Sequence, residues 1–375
     1  MRSQRTRGAA SVRTVVLAVA VLTASAVATV TYNKASSELI ESASDNLYAL
    51  MELRRDELAD YYESVRDGTL FWARNPFLRP ALPAFIEAWN ELGGDRQATL
   101  QRLYIEENPH PVGQKGRLED AGDGSSYSAT HAQYHAFLKR FISQWGFYDV
   151  FLFDPAGNLV YSGFKESDFA TNFVTGPWRD TDLGRAFRAA RDSARRGHFV
   201  MFDFAPYPPS HDAPASFTAS PVVDDDGELV GVLAFQVSIE RIDEIMQVVQ
   251  GMGETGETYA VGDDLLMRSD SRFSEESTIL KTTVDTETAR LALAGESGVR
   301  ITDDFRGVSV LSAYGPLELD GVTAWAVLAE VDEAEILAPV ARLRTWLVLA
   351  GVILVGVMVL IGASAGLLGS RSRAG

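Results

Sequence analysis

The chain of 375 residues contains no cysteine, so disulfide staples, thiolate-bound zinc and cysteine nucleophiles are excluded. Histidine is scarce, with five residues, and no H-E-x-x-H sequence occurs. No enzyme activity and no cofactor are therefore expected. Acidic residues are missing before Glu38 and after Glu335, whereas Arg2, Arg5, Arg7 and Arg13 crowd the start and Arg371 and Arg373 the end. The formal charge of -17 makes nucleic acid a poor partner. Setting the six terminal arginines aside leaves 28 basic residues against 51 acidic ones, a charge of -23 in the middle of the chain.

The two ends obey a different rule from the middle. Thr14 to Tyr32 and Thr345 to Leu368 are uncharged runs, each about the length that crosses a hydrocarbon core of roughly 30 Å. The second opens on an interfacial Trp346. Both flanking tails, 1–13 and 369–375, are basic, which places both termini in the cytoplasm of a two-pass inner-membrane protein and exports the region between them. A cleavable signal peptide is the rival reading of the first run; an uncleaved anchor is preferred because the apolar stretch continues past Ala24-Ser25-Ala26 and Ala26-Val27-Ala28. Seven residues beyond the second span leave no room for an output module, so either signalling through a cytoplasmic partner in trans is expected, or the chain is one piece of a longer receptor whose output has been lost or is encoded separately.

From Ala35 to Asn75 there is no proline and one glycine, and Ile40, Leu47, Met51, Leu58, Tyr61 and Val65 recur at helical spacings. This predicts a long stalk helix over 35–75, which packs on its own domain or also pairs with a second subunit in a homodimer, with Arg54 interrupting the seam. Shorter helices are predicted over 80–92, 96–107 and 129–144, and a polar loop from Pro109 to Ser128. YDVFLF and LVYSGF form a predicted hairpin about DPAGN, followed by a helix from Asp182 to Arg196 and the strands HFVMFDF, SFTASPVV and LVGVLAFQVSI. The proline-rich APYPPSHDAPA between the first two strands is read as a lid loop. After a helix from Glu240 to Gln250 the order starts over: ETYAVG and LLMRSD as a hairpin, a helix from Thr286 to Ala294, three strands, and an exit helix running into the second span.

Several local patterns are set aside. Gly251-x-Gly253-x-x-Gly256 follows a helix and opens a strand, the reverse of a dinucleotide fingerprint, and reads as a linker. His131 and His135 lie four apart but lack a third metal ligand, and a solvated helix face is expected. Asp224 to Gly227 reads as a hairpin turn, and Arg185, Arg188, Arg191, Arg195 and Arg196 as a solvated basic face.

The segment GETGETYAVGDDLLMRSDSRF, from Gly253 to Phe273, resembles the opening hairpin of the membrane-proximal half of a double Cache domain. SDFATNFVTGPWRDTDL, DFAPYPPS and FTASPVVDDDGELVGVLAFQVSIERI resemble the membrane-distal half. The resemblance implies an α+β fold: the stalk helix, a PAS-like distal unit with its preceding helices over 76–250 and a proximal unit with the exit helix over 251–340, flanked by two transmembrane helices. It also implies an extracytoplasmic sensor of the kind found in bacterial chemoreceptors, histidine kinases and cyclases. The ligand site it implies comprises Trp178, Arg179, Asp203, Tyr207 and Gln236. Family members that bind amino acids carry an Asp where this chain has Gln236, and Gln cannot neutralise an ammonium group. An organic acid or neutral polar metabolite held by Arg179, Tyr207 and Gln236 is therefore favoured over an amino acid. An envelope module that binds another protein is the alternative function.

Overall fold

The computed structural model describes residues 2–319 and 324–371; Arg373, in the basic C-terminal tail, lies outside them. Side chains are described for residues 19–142, 144–319, 324–342, 345–346, 348–353 and 355–357.

One helix, α1 (Arg2–Ala73), leads into three more, α2 (Leu78–Glu91), α3 (Arg96–Gln101) and α4 (Ser126–Trp145). The distal unit continues through β1 (Phe147–Phe153), β2 (Leu159–Ser162), α5 (Asp182–Ser193), β3 (Val200–Tyr207), β4 (Ala213–Val223) and β5 (Leu229–Val237). A short α6 (Ile239–Met246) precedes the proximal unit: β6 (Glu257–Val261), α7 (Glu287–Leu293), β7 (Gly298–Asp303), β8 (Ser309–Leu317) and β9 (Trp325–Asp332). The chain closes on α8 (Glu333–Arg371). Both sheets are antiparallel, in the orders β2-β1-β5-β4-β3 and β6-β9-β8-β7.

The predicted first span and stalk form a single helix of 72 residues, about 108 Å long at 1.5 Å per residue. No proline interrupts it, so nothing breaks the hydrogen-bond ladder where the apolar run passes into the amphipathic one. Its buried stripe, Leu47, Met51, Leu58, Tyr62, Val65 and Thr69, faces both sheets. Thr69 meets Thr218 of β4 at 3.0 Å, and Tyr62 sits edge-on to Trp325 of β9 at 5.5 Å. Arg54, the break in the seam, is buried and neutralised within the helix by Glu57 at 2.5 Å. The periodicity that predicts the stalk is thus consumed by the chain's own core.

The helical layer covers one face of the distal sheet, burying Val150, Leu152, Val160 and Phe235. Strand alternation turns Phe151, Phe153, Phe217 and Ala234 to the other face, where α5 contributes Leu183 and Phe187. Two readings change at this level. The proline-rich segment is mostly strand: β3 carries Pro206 and Tyr207 into pairing with Pro214 and Ala213, and only the turn Pro208–Ser210 reverses the chain. Proline is tolerated there because β3 is an edge strand. In the proximal unit the hairpin is short: LLMRSD meets β6 through the Met267 to Val261 bridge and the Arg268 amide to the Ala260 carbonyl at 2.7 Å, with Leu265 in a left-handed backbone at the turn, and Leu266 bridges to Thr283 instead.

Among the described residues no helix is long and apolar enough to cross a membrane. The described parts of the two uncharged runs lie side by side in α1 and α8, with Val21, Ala24 and Ala28 facing a groove shared with Val348, Val352 and Val355.

Candidate functional site

The loop from Gly163 to Thr181 folds back over the distal sheet and carries three charged residues inward: Lys165, Glu166 and Asp168. Asp168 is buried; its Oδ2 accepts a 2.6 Å bond from the Tyr207 hydroxyl, and its Oδ1 is buried without a partner among the described residues. Burial raises the Asp168 carboxyl to about 7, because a charge there loses its hydration. Glu166 accepts from Ser210 Oγ and, at 3.4 Å, from the Tyr148 hydroxyl, and burial raises it too. Asp149, at the start of β1, accepts from the amides of Val150 (2.7 Å), Gly163 (2.8 Å) and Phe164 (3.2 Å), which pins the loop to the sheet.

Register explains why these groups meet. Gln236 on β5 lies opposite Asp149 on β1 and Phe217 on β4. The Phe217 ring packs on that of Tyr207 at 4.8 Å, and Tyr207 reaches Asp168. Directly opposed residues share a face, so Gln236, Phe217 and Tyr207 form one wall and the Asp168 loop the other. Gln236 is buried, and its Oε1 also lacks a partner among the described residues. Phe153, Phe173 and Phe187, with ring centroids about 5 Å apart, fill the sheet beyond. The cluster is a candidate chamber: two of its acceptors, Asp168 Oδ1 and Gln236 Oε1, are buried without partners among the described residues.

Lys165 is the cation nearest this cluster in sequence, but its ammonium turns into the helix-side core. It donates to the Ser162 carbonyl and lies over the rings of Tyr161 at 4.4 Å, Phe169 at 5.0 Å and Tyr104 at 5.9 Å. Desolvation lowers it to about 7, opposed by the Asp149 charge.

Of the five residues singled out in the sequence, Tyr207 and Gln236 come together in this chamber. Trp178 packs on the edge of the same aromatic cluster, with its indole N–H buried and without a partner among the described residues. Arg179 lies outside this cluster: it is exposed beside Asp180 at 3.4 Å. Asp203 also leaves the site, because strand alternation sends it to the face opposite Phe202, where Arg268 and Trp325 of the proximal unit hold it. The polar side chains gathered around Tyr207 and Gln236 are Asp149, Glu166 and Asp168, while Arg179 lies on the surface. Asp149, Glu166 and Asp168 escaped the sequence reading; the available signal was two acids interleaved with aromatics in FKESDF.

The two histidines are also corrected. His131 and His135 are fully buried, stacked at 4.2 Å, and bonded to Glu119 O, Gly116 O and the Tyr161 hydroxyl at 2.7 to 2.8 Å. The solvated face expected of them is the inner face of α4. Among the described residues no cluster could hold a metal ion.

The Cache domain family model dCache_1 matches residues 24–340, and the chain belongs to this family of ligand-binding sensor domains. No curated protein sequence matches it. Among solved structures, the periplasmic sensory domain of the Campylobacter jejuni chemoreceptor Tlp1 is similar at 12% identity and TM-score 0.48, covering 80% of this chain and 99% of that one. The Tlp3 ligand-binding domain from the same organism, in complex with 4-methylisoleucine, is similar at 13% identity and TM-score 0.46, covering 80% and 94%. The ligand-binding domain of the Pseudomonas aeruginosa PAO1 amino-acid chemoreceptor PctC, in complex with GABA, gives 17% identity and TM-score 0.37, covering 69% and 100%.

Proposed function

We propose that the chain is a membrane-anchored, extracytoplasmic small-molecule sensor whose ligand occupies the Asp168–Tyr207–Gln236 chamber. The observation that carries this reading is the pair of buried acceptors, Asp168 Oδ1 and Gln236 Oε1, left unfilled in a family of ligand-binding domains. A buried acceptor without a donor costs roughly 1–3 kcal/mol, and a ligand N–H or O–H relieves that cost. Because the facing groups are carboxylates and no described cation points into the chamber, the ligand we propose bears an amine or neutral donors. This departs from the organic acid suggested by Gln236 alone: Asp168, on the opposite wall, supplies the charge that Gln236 cannot.

Anchoring by Thr14–Tyr32 and Thr345–Leu368 is part of the proposal. It is supported by exposed apolar side chains around both helices, including Leu22, Val27, Val30, Val352 and Ile353. A homodimer through α1 is supported by exposed Leu53 and Phe71 on that helix. The test is a thermal-shift series on the full chain in detergent, comparing small amines, neutral polyols and amides, and organic acids. A ligand at a hundred times its dissociation constant adds about 2.7 kcal/mol. Stabilisation by amines or neutral donors is expected; stabilisation by organic acids alone, retained in Asp168→Asn, would refute the assignment.

A further inference from the structure

A cavity lies outside this cluster. It is a groove of about 580 Å3 between the segment 113–117, α4, and the ends of β2 and β5. Its apolar floor is Ile142, Phe147 and the stacked pair Tyr148 and Phe164, whose ring centroids are 4.6 Å apart and whose planes differ by 13°. Two cations line it, Arg117 and Lys139, and neither has an ion pair among the described residues. That sets them apart from Arg102, Arg185, Arg241 and Arg300, each of which has a carboxylate within 3.0 Å. The one carboxylate in the lining, Glu240, already accepts from Ser238 Oγ at 2.5 Å.

The field supports the same reading. Lys139 faces the buried Lys165 and His135 closely enough that its charge adds to the desolvation lowering both. Arg117 and Lys139 thus stand beside an apolar floor in a chain of formal charge -17. Such a region attracts anions, and a flat aromatic pair favours a planar or apolar body behind the charged group. Tyr148 forms the partition: its ring lines the groove, while its hydroxyl points to Glu166 on the chamber side.

We infer that this groove binds a small organic carboxylate, its charged end between Arg117 and Lys139 and its apolar body on Phe164 and Tyr148. The site is independent of whether the Asp168–Tyr207 chamber takes a ligand, and its ligand is an anion, whereas the ligand proposed for the chamber is an amine or a neutral donor.

Benzoate is a suitable probe, with benzyl alcohol and benzylamine as neutral and cationic counterparts of similar shape, titrated against the full chain in detergent and followed by melting temperature and calorimetry. Benzoate is expected to raise the melting temperature in a saturable way, with the other two at least tenfold weaker. Arg117→Gln and Lys139→Gln are each expected to weaken benzoate about tenfold while melting like the parent without benzoate, and Tyr207→Phe to leave benzoate affinity unchanged. Absence of a benzoate shift, equal binding of benzyl alcohol, or full benzoate affinity in the Arg117→Gln/Lys139→Gln double variant would overturn the inference. Loss in Tyr207→Phe alone would move the carboxylate to the other chamber and overturn it as well.

Discussion

Arg268 of the proximal unit donates to Asp203 of the distal edge strand β3 through Nε at 3.1 Å and Nη2 at 3.0 Å. The guanidinium is buried, and the same Asp203 oxygen accepts the Trp325 indole N–H at 3.1 Å. Trp325 opens β9, which runs without a break into α8, while Tyr207 closes β3 four residues beyond Asp203. One edge strand thus reaches Asp168 at its end, through Tyr207, and at its middle touches the first residue of the strand that leads into the exit helix.

Removing Asp203 leaves the buried Arg268 with Asp264 at 3.0 Å and the Leu266 carbonyl at 2.9 Å but takes the acceptor from its Nε and from the Trp325 indole N–H. Asp203→Ala is therefore expected to destabilise the chain by about 1–3 kcal/mol, the cost of leaving buried donors unmet. Replacing both partners, Asp203→Asn with Arg268→Met, is expected to recover part of that loss. A double-mutant cycle on denaturant unfolding of the full chain measures the coupling; additive single losses would show that the pair carries none.

The Asp168 carboxyl makes stability depend on pH. Its folded value of about 7 lies above its ordinary 3.8, so the folded state binds more protons between those values. Its contribution is fully present below pH 4 and is lost as pH rises through 7. Glu330, buried against Tyr259 at 2.8 Å and raised to about 7 by desolvation, acts in the same sense. Wild type measured against Asp168→Asn is therefore expected to lose stability from about pH 4 to pH 7 and to change little above. A flat difference across that range would rule out the raised carboxyl.

Glu335, in the first turn of α8, accepts from the amides of Glu254 at 2.9 Å and Thr255 at 2.8 Å in the glycine-rich linker between the units. Gly253 lies beside it with φ of +67°, and an added Cβ would meet Glu335 Oε1 at 2.3 Å. Gly253→Ala is expected to expel the carboxylate and to speed hydrogen exchange at the Glu254 and Thr255 amides, as is Glu335→Ala. The destabilisation expected is about 1 kcal/mol, modest because the site is partly solvated.

If α1 pairs two copies of the chain, a charge on its exposed apolar face opposes pairing. Leu53→Glu with Phe71→Glu is expected to convert a dimer of the full chain to monomer in light scattering after gel filtration. An unchanged mass would exclude that face as the dimer surface.

The architecture was largely legible in sequence because it is written locally. Alternating apolar residues in YDVFLF and LVGVLAFQV, the turns at Pro155-Ala156-Gly157 and Asp224 to Gly227, and the proline-free run to Asn75 each fix an element through nearest neighbours. The site was half legible. Tyr207 and Gln236 sit on strands whose register decides their face, whereas Asp168 and Glu166 sit on a loop whose fold depends on Asp149 capturing the amides of Gly163 and Phe164 from another strand. Asp203 shows the remaining limit: alternation sends it away from Phe202, but nothing local says that another unit waits there. His131 and His135 look polar in sequence, and their carbonyl partners come from a loop that no periodicity places.

The most direct test of the sensor assignment is calorimetric titration of the full chain, in detergent, with the amine or neutral ligand that stabilises it best, beside Asp168→Asn and Tyr207→Phe. Occupancy of the chamber predicts at least tenfold weaker binding in both variants and unchanged binding in Arg179→Ala. Undiminished binding in Asp168→Asn and Tyr207→Phe, or loss in Arg179→Ala alone, would contradict it.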